Sequence, residues 1–368
     1  MIYADNAATT KIDPIALDVM ISVLKEQYAN PSQPYSFAQE AKKQVEEART
    51  TIAKCINAYP EEIIFTSGGT ESDNWAIKSY GVESLITSSI EHHAILNAAE
   101  FVAKQGSRVT ILPVDKNGYV EKNFLRKILE KSETKLVSVM CANNEIGSIQ
   151  DIKGISSIAH EYNALFHSDA VQAIGHINVD VKDMGIDMLS ASAHKFNGPK
   201  GIGFMYIKNG VNRSPFICGG SQENNLRAGT ENVASIVGMA VALKNNIHNI
   251  DEHQRDIKLL GKRLIEKLNS SRIDYVKNGG NNTLPGNISL SFKGYEGEAI
   301  LHRLDLKGIC VSTGSACDSK RTQTSHVLKA IGLDKEYAEG TIRISLGKDN
   351  TAEEIDYIAD SIISIVKG

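Results

Sequence analysis

A lysine and an aspartate, each following a short apolar segment, are the residues best suited to chemistry in this sequence. Lys195 lies in SASAHKFNGPKGIGFMYI (190–207), between an apolar segment and a glycine-rich one. A lysine held among close neighbours can form a Schiff base with an aldehyde. Asp169 follows Leu165–Phe166 and could keep the ring nitrogen of pyridoxal phosphate (PLP) protonated, so that the ring accepts electrons. A solvated lysine and a helix N-cap are the simpler interpretations, and only the combination indicates this cofactor.

A glycine-rich turn supplies a candidate phosphate site. In SGGTES (67–72), Gly68 and Gly69 allow backbone N–H groups to approach an anion, and Thr70 adds a hydroxyl at the start of a predicted helix. Many such turns bind no ligand. The prediction gains weight because Lys195 and Asp169 occur in the same chain.

One cysteine has the surroundings of a reactive thiol. Cys317 lies in STGSACDSKRTQTSH (312–326), a small, polar and charged segment that does not resemble a core strand. The segment predicts an exposed thiol, and Lys320 and Arg321 could lower its pKa. Cys317 is therefore a candidate nucleophile.

Two further polar residues could serve an amino-acid substrate. The imidazole of His92 can stack on a flat cofactor ring and transfer protons, whereas we interpret His93 as a polar loop residue. Arg343, in TIRISLGK, could bind a carboxylate through a bidentate fork. An exposed strand arginine is an equally good interpretation of Arg343 by itself.

The elements that must position these residues alternate along the chain. Short apolar segments end in polar residues and are separated by helix-like stretches, which predicts a mainly parallel sheet covered by helices. Ligands bind beyond the carboxyl ends of such strands, so the polar ends should converge on one site. From about residue 250 the pattern changes to that of a smaller α+β unit. We predict a large domain over 13–250 and a small domain formed by 1–12 and 251–368.

Composition narrows the class of protein. A chain of 368 residues that is 42% hydrophobic and 23% charged is globular, which excludes collagen-like and disordered classes. The net charge of −4 gives no indication of nucleic-acid or membrane binding, and no run reaches the roughly 18 apolar residues of a membrane span. The start predicts no secretory signal. Five cysteines without a CxxC pair predict neither disulfides nor a metal site, and fit a cytoplasmic location.

Eight motifs together resemble one family. They are YADNAATT, FTSGGTESDN, NNEIG, HSDAVQAIG, SAHKFNGPKGIG, LRAGTENV, STGSAC and IRISLG, in the family's order and nearly from end to end. The sequence resembles the NifS-like cysteine desulfurases, in the class V branch of the PLP-dependent enzymes of fold type I. The resemblance implies an α/β fold and conversion of L-cysteine to L-alanine. The sulfur would become an enzyme persulfide, for iron–sulfur clusters or thiolated products.

The resemblance also implies the catalytic roles. Lys195 would form the Schiff base with the cofactor, Asp169 would pair with its pyridine nitrogen, and His92 would stack on its ring. Arg343 would anchor the carboxylate of L-cysteine. Cys317 would attack the substrate sulfur and hand it to an acceptor protein.

The remaining implied roles concern cofactor binding and assembly. Asn144 and Gln172 would contact the region of the ring hydroxyl. Thr230 would bind the phosphate of the neighbouring subunit, which implies a homodimer. The phosphate ligands within the same chain would be Gly69, Thr70, Ser192 and His194.

Several positions depart from the family's usual residues, and we expect them near the mouth of the active site or the dimer edge. They are Ser36, Gln39, Cys141, Asn224, Asn225 and Asp318. Two alternatives therefore stay open. One is a sister reaction on the same scaffold, selenocysteine lyase or another β-lyase. The other is a weakly active partner in a sulfur-transfer complex.

Overall fold

The computed structural model describes residues 1–81, 83–313 and 324–368. Two short 3-10 turns, Pro60–Glu62 and Ala193–Lys195, accompany the regular elements. In chain order the elements are β1 (Ile2–Tyr3), α1 (Pro14–Glu26), α2 (Ser36–Cys55), β2 (Ile63–Thr66), α3 (Gly69–Tyr80), β3 (Ser84–Ser88), α4 (His93–Lys104), β4 (Arg108–Leu112), α5 (Lys122–Leu129), β5 (Leu136–Ser138), α6 (Ile152–Glu161), β6 (Leu165–Asp169), β7 (Met188–Ser192), β8 (Gly203–Ile207), α7 (Gln222–Asn225), α8 (Val233–His248), α9 (Ile250–Ser270), β9 (Tyr275–Asn278), β10 (Asn287–Phe292), α10 (Gly297–Asp305), β11 (Ile309–Cys310), α11 (His326–Ala330), α12 (Lys335–Ala338), β12 (Thr341–Ser345) and α13 (Ala352–Lys367).

Local sequence signals account for the ends of several helices. Asp13 caps α1, its side chain accepting hydrogen bonds from the N–H groups of Ile15 and Ala16, and proline occupies the first helical position. Thr351 and Glu354 form a capping box at the start of α13. Such caps satisfy N–H groups that have no partner inside the helix, which fixes where each helix begins.

The central sheet has seven strands in the order β2-β8-β7-β6-β5-β3-β4. Strand β8 is antiparallel to both of its neighbours, β2 and β7. The pairs from β7 to β4 are all parallel. The prediction of a mainly parallel α/β sheet is therefore confirmed.

Helices cover this sheet and bury its strands. Every residue of β2, β3, β7 and β8 is buried, as in sheets that pack helices on both faces. Helices α2 and α8 pack together on one side, and α3 packs with α4. The strand ends that carry polar residues are therefore rigidly placed.

A second group of elements follows residue 250. Strands β12, β10 and β9 form an antiparallel sheet, and α9 packs against α13. The first residues of the chain join this group, since β1 pairs with β11 and Asp5 bridges to Ser345. A separate hydrophobic cluster contains Ala4 and residues between 257 and 365. The domain boundaries given above stay a prediction.

Within the described ranges, none of the helices combines the length and the apolar character that a bilayer crossing requires.

Candidate active site

A cavity of about 310 Å³ lies at the carboxyl ends of the parallel strands. Its volume falls at the lower end of the range for small-molecule sites, about 300–1,000 Å³. Thr230 is exposed and does not line it, and Cys317 lies outside the described residues. The predicted site residues that line the cavity are Gly69, Thr70, His92, Asn144, Asp169, Gln172, Ser192, His194, Lys195 and Arg343.

Lys195 is held at the cavity by the N-terminal segment. It ends the 3-10 turn that follows β7, and its Nζ donates to the carbonyl oxygens of Ala7 at 2.7 Å and Ala8 at 2.8 Å. Nε2 of Gln172 also donates to the carbonyl of Ala7, at 2.9 Å. The amine therefore enters the cavity with a defined direction. The sequence analysis missed Ala7 and Ala8, whose contribution comes from backbone oxygens that no side-chain motif reports.

Asp169 is the last residue of β6 and is buried beneath the cavity. Its Oδ1 accepts a hydrogen bond from the N–H of Val171 at 2.9 Å. Burial raises the pKa of Asp169, while His92, the Val171 N–H and Lys195 act in the opposite direction. The net effect is a raised pKa for Asp169, and His92, Lys195 and the N–H of Val171 are the groups that stabilise its ionised form. The helix N-cap interpretation does not apply, since Asp169 ends a strand.

Two more carboxyl groups are buried beside Asp169. Burial and the charge of Asp169 raise the pKa of Asp73 well above its ordinary value. Burial raises the pKa of Glu91 to about 8, although Ser88 and the N–H of Met140 donate hydrogen bonds to it. Burial and repulsion among these carboxyl groups therefore favour the protonated forms of Asp73 and Glu91.

His92 lies at the start of α4. Its Nδ1 accepts a hydrogen bond from the N–H of Ala94 at 3.1 Å, which places the proton of the neutral ring on Nε2. Burial lowers the pKa of His92, so the imidazole is neutral at neutral pH. His93 also lines the cavity, and its ring centroid lies 4.8 Å from that of His326. His93 is the first residue of α4, so the interpretation of His93 as a loop residue is wrong.

The opposite end of the cavity is built for an anion. Gly68, with φ of 147°, precedes α3, and the chain passes so close to its neighbours that a Cβ on Gly69 would lie 2.5 Å from Cγ2 of Val171. Ser192 and His194 complete this end. Backbone N–H groups at the first turn of a helix bind phosphates readily, so this end suits the phosphate of a cofactor.

Arg343 lines the cavity from β12. Its Nη2 lies 2.7 Å from Oδ1 of Asp5, and its Nη1 donates to the carbonyl of Asn144 at 3.1 Å. The side chain is 5% exposed, and its Nε has no hydrogen-bond partner among the described residues. A buried guanidinium nitrogen without a partner is suited to a substrate carboxylate.

The departures from the family's usual residues do not line this cavity where they are described, and Asp318 lies outside the described residues. Cys141 is buried, and burial together with Asp169 raises the pKa of its thiol to about 12. Such a thiol is inert. The described departures therefore lie outside the lining of the cavity, and their expected place near its mouth or at a dimer edge stays a prediction.

The residues present fit PLP. A helix N-terminus for the phosphate, a lysine amine, a buried carboxyl and a neutral imidazole meet in one cavity. Lys195 would hold the aldehyde carbon and Asp169 the ring nitrogen. This combination on a mainly parallel sheet defines a PLP-dependent enzyme of fold type I.

Comparisons with known proteins agree with this class. The family model for Aminotransferase class-V matches residues 2–358. The cysteine desulfurase IscS of Clostridium botulinum (strain Hall) is 48% identical over 376 aligned residues, which cover 100% of this chain and 94% of the relative. The cysteine desulfurase IscS of Methanosarcina thermophila is 44% identical, with 100% and 92% covered.

Solved structures give the same result. A NifS-like protein superposes with a TM-score of 0.93 at 38% identity, covering 100% of this chain and 99% of the other. SspA in complex with cysteine superposes with a TM-score of 0.83 at 34% identity, covering 95% and 100%. The chain belongs to the aminotransferase class-V family, in its group of NifS-like cysteine desulfurases.

Proposed function

We propose that Lys195, Asp169 and Arg343 carry the cysteine desulfurase activity of this chain, and that Cys317 receives the sulfur. The observation that carries the proposal is that these three side chains line one cavity of about 310 Å³. Asp169 comes from the end of β6, Lys195 from the turn after β7 and Arg343 from the middle of β12. In the overall reaction, L-cysteine and the thiol of Cys317 give L-alanine and a persulfide on Cys317. Atoms and electrons balance without an added oxidant or reductant.

Arg343 orients the substrate. Because Asp5 and the carbonyl of Asn144 hold Nη2 and Nη1, the plane of the guanidinium is fixed. With respect to the described residues, three of its five N–H groups stay available, including the one on Nε. A bidentate or charge-assisted hydrogen bond to the substrate carboxylate then places the amino group and Cα toward Lys195. Free amino acids, rather than peptides, fit this arrangement.

Lys195 and His92 move protons. When bound, PLP supplies an electron sink that stabilises negative charge at the substrate Cα. Nζ of Lys195 is the base positioned to take the proton from Cα, because its hydrogen bonds to the carbonyl oxygens of Ala7 and Ala8 hold it at the cavity. The neutral His92, with its proton on Nε2, can exchange a proton with the substrate sulfur or Cα.

Asp169 and its neighbours set the charge of the site. Asp169 carries the negative charge that favours a protonated ring nitrogen, while the buried Asp73 and Glu91 stay neutral beside it. The thiolate of Cys317 forms the new S–S bond as the Cβ–S bond of the substrate breaks. Return of a proton to carbon completes L-alanine.

The protein acts as a homodimer in this proposal. Thr230 is exposed and lies outside the lining of the cavity in its own chain, which supports its binding the phosphate in a neighbouring subunit. Exposed apolar side chains on and after α1 support the same arrangement, among them Ile15, Leu24, Tyr28 and Tyr35. Light scattering of the purified protein should give about twice the chain mass of 40.1 kDa.

The sulfur leaves Cys317 for an acceptor protein, in iron–sulfur cluster assembly or in the synthesis of thiolated products. The persulfide must be passed on before Cys317 can accept another sulfur. A cytoplasmic location is part of the proposal, and the cysteine pattern without CxxC pairs supports it.

The experiment measures products. The PLP-loaded protein is incubated with a thiol reductant and either L-cysteine or, in a parallel sample, L-selenocysteine, and alanine, pyruvate and sulfide or selenide are determined in each sample. We expect alanine and sulfide in equal amounts, and Lys195→Ala should form neither. Pyruvate in place of alanine would show a lyase, and high activity confined to selenocysteine would show a selenocysteine lyase. Either result would overturn the proposal.

A further inference from the structure

The carboxylate of Glu71 lies at the end of the site where the cofactor phosphate is proposed to bind. Glu71 follows Thr70 in the first turn of α3, and it lines the same surface opening as Gly69, Ser192 and His194. Its Oε2 accepts a hydrogen bond from the N–H of Ser67 at 2.7 Å. One N–H of the glycine-rich turn is thus already bound to a negative group, close to where a phosphate is expected.

Arg227 binds this carboxylate through two of its guanidinium nitrogens, Nε and Nη2. Nε of Arg227 lies 2.9 Å from Oε1 of Glu71, and Nη2 lies 3.1 Å from Oε2. The Glu71 side chain is only 9% exposed. Burial raises the pKa of Glu71, but hydrogen bonds from Arg227 and Ser67 outweigh burial and lower it, so Glu71 is ionised.

The backbone that carries Arg227 is anchored independently of Glu71. Glu223 is buried, and its carboxylate accepts hydrogen bonds from both Nη atoms of Arg49, at 2.7 and 2.8 Å, and from the N–H of Phe65 at 2.9 Å. The N–H of Ala228 donates to the carbonyl of Ile217 at 3.0 Å. Removing the guanidinium of Arg227 should therefore leave this segment in place and leave Glu71 unpaired.

We propose that Arg227 is a positioning residue for the cofactor phosphate, and that it acts by neutralising Glu71. This inference rests on the proposed binding of the phosphate at Gly69, Thr70, Ser192 and His194. A helix N-terminus favours one anion, and a second unpaired anion in the same turn repels it. With Arg227 present, the Glu71 carboxylate orders the turn through Ser67 without repelling the phosphate.

The test compares PLP with pyridoxal, which lacks the phosphate. Dissociation constants of both compounds for the apoprotein are measured by equilibrium dialysis. For Arg227→Met we expect PLP binding about 10- to 100-fold weaker, with pyridoxal binding unchanged. For Glu71→Gln we expect PLP binding as tight as in the wild type or tighter. The double variant should recover most of the loss caused by Arg227→Met.

The two variants should change PLP affinity in opposite directions if Arg227 acts by neutralising Glu71, and in the same direction if the pair only holds the turn in place. If Glu71→Gln weakened PLP binding as much as Arg227→Met, or if Arg227→Met weakened PLP and pyridoxal equally, the proposal would be overturned. Arg263→Met is the matched control, because Arg263 forms a similar fork with Asp356 away from the cavity. It should leave both constants unchanged.

Three further variants make the result decisive. If Arg227→Met fails to fold, Arg227→Lys retains the charge without the fork and should bind PLP within about threefold of the wild type, since charge is what matters. A tenfold loss in that variant would contradict the proposal. Thr70→Val and Ser192→Ala test the phosphate site itself. If both kept the full preference for PLP over pyridoxal, the site assignment would fail irrespective of Arg227.

Discussion

Nη2 of Arg343 lies 2.7 Å from Oδ1 of Asp5, and the two residues are 338 positions apart in the sequence. The contact joins β12 to the segment that follows β1, which also directs Lys195 through the carbonyls of Ala7 and Ala8. The N-terminal segment therefore orients both the predicted substrate anchor and the catalytic amine.

Replacing Arg343 with lysine should raise KM for L-cysteine by about tenfold or more, because a lysine has no fork for a carboxylate. The cofactor does not depend on this residue, so the dissociation constant of PLP should not change. Steady-state kinetics and PLP titration measure the two effects. Arg263→Lys, at an exposed fork with Asp356, is the control. An unchanged KM in Arg343→Lys would rule out Arg343 as the substrate anchor.

The strands and the site residues at their ends could be predicted from local sequence patterns. Apolar segments followed by polar residues predicted the strand ends, and Gly69, His92, Asp169 and Lys195 do meet in one cavity. The parallel arrangement explains this success, since the carboxyl ends of parallel strands share one edge of the sheet.

Other features left no local signal. Strand β8 reads GFMYI and is buried throughout, so its composition says nothing of its antiparallel direction. The pairing of Asp5 with Arg343 and that of Glu71 with Arg227 join residues far apart in sequence, which no periodicity reports. Asp73 and Glu91 lie close in sequence to the predicted site residues Thr70 and His92. Their raised pKa values come from burial, which only the packed structure defines.

The buried Glu91 should make the free energy of unfolding depend on pH. Its pKa is about 8 in the folded state against an ordinary value of 4.5 for an exposed glutamate, so the folded state retains a proton that the unfolded state releases. Stability from Glu91 is therefore lost as pH rises from about 4.5 to 8, at up to about 1.4 kcal/mol per pH unit. Glu91→Gln has no carboxyl group to titrate at this position. Its free energy of unfolding should therefore rise relative to that of the wild type as the pH increases from about 4.5 to 8.

Guanidinium unfolding of both proteins at pH 5, 6, 7 and 8 measures the difference. Glu266→Gln, at an exposed position, is the control and should track the wild type at every pH. A constant difference between Glu91→Gln and the wild type across this range would show that Glu91 is ionised throughout.

Gly203 should tolerate no side chain, because it packs against the phosphate turn. A Cβ at this position would lie 2.3 Å from the carbonyl oxygen of Ala191 and 2.7 Å from Cα of Gly68. Gly203→Ala should lower the free energy of unfolding by about 1–3 kcal/mol and weaken PLP binding. Gly261→Ala is the control: among the described residues its Cβ would meet only Ile288 Cδ1, at 3.4 Å, and alanine favours a helix. Equal behaviour of the two variants would contradict the packing argument.

The most direct test of the account follows the sulfur to one cysteine. Wild type, Cys317→Ala and Cys218→Ala, an exposed-cysteine control, are loaded with PLP and given L-cysteine, and alanine and protein-bound sulfane sulfur are measured together. We predict that Cys317→Ala retains the cofactor but loses both products, while Cys218→Ala matches the wild type. Full alanine formation with bound sulfur in Cys317→Ala would contradict the account.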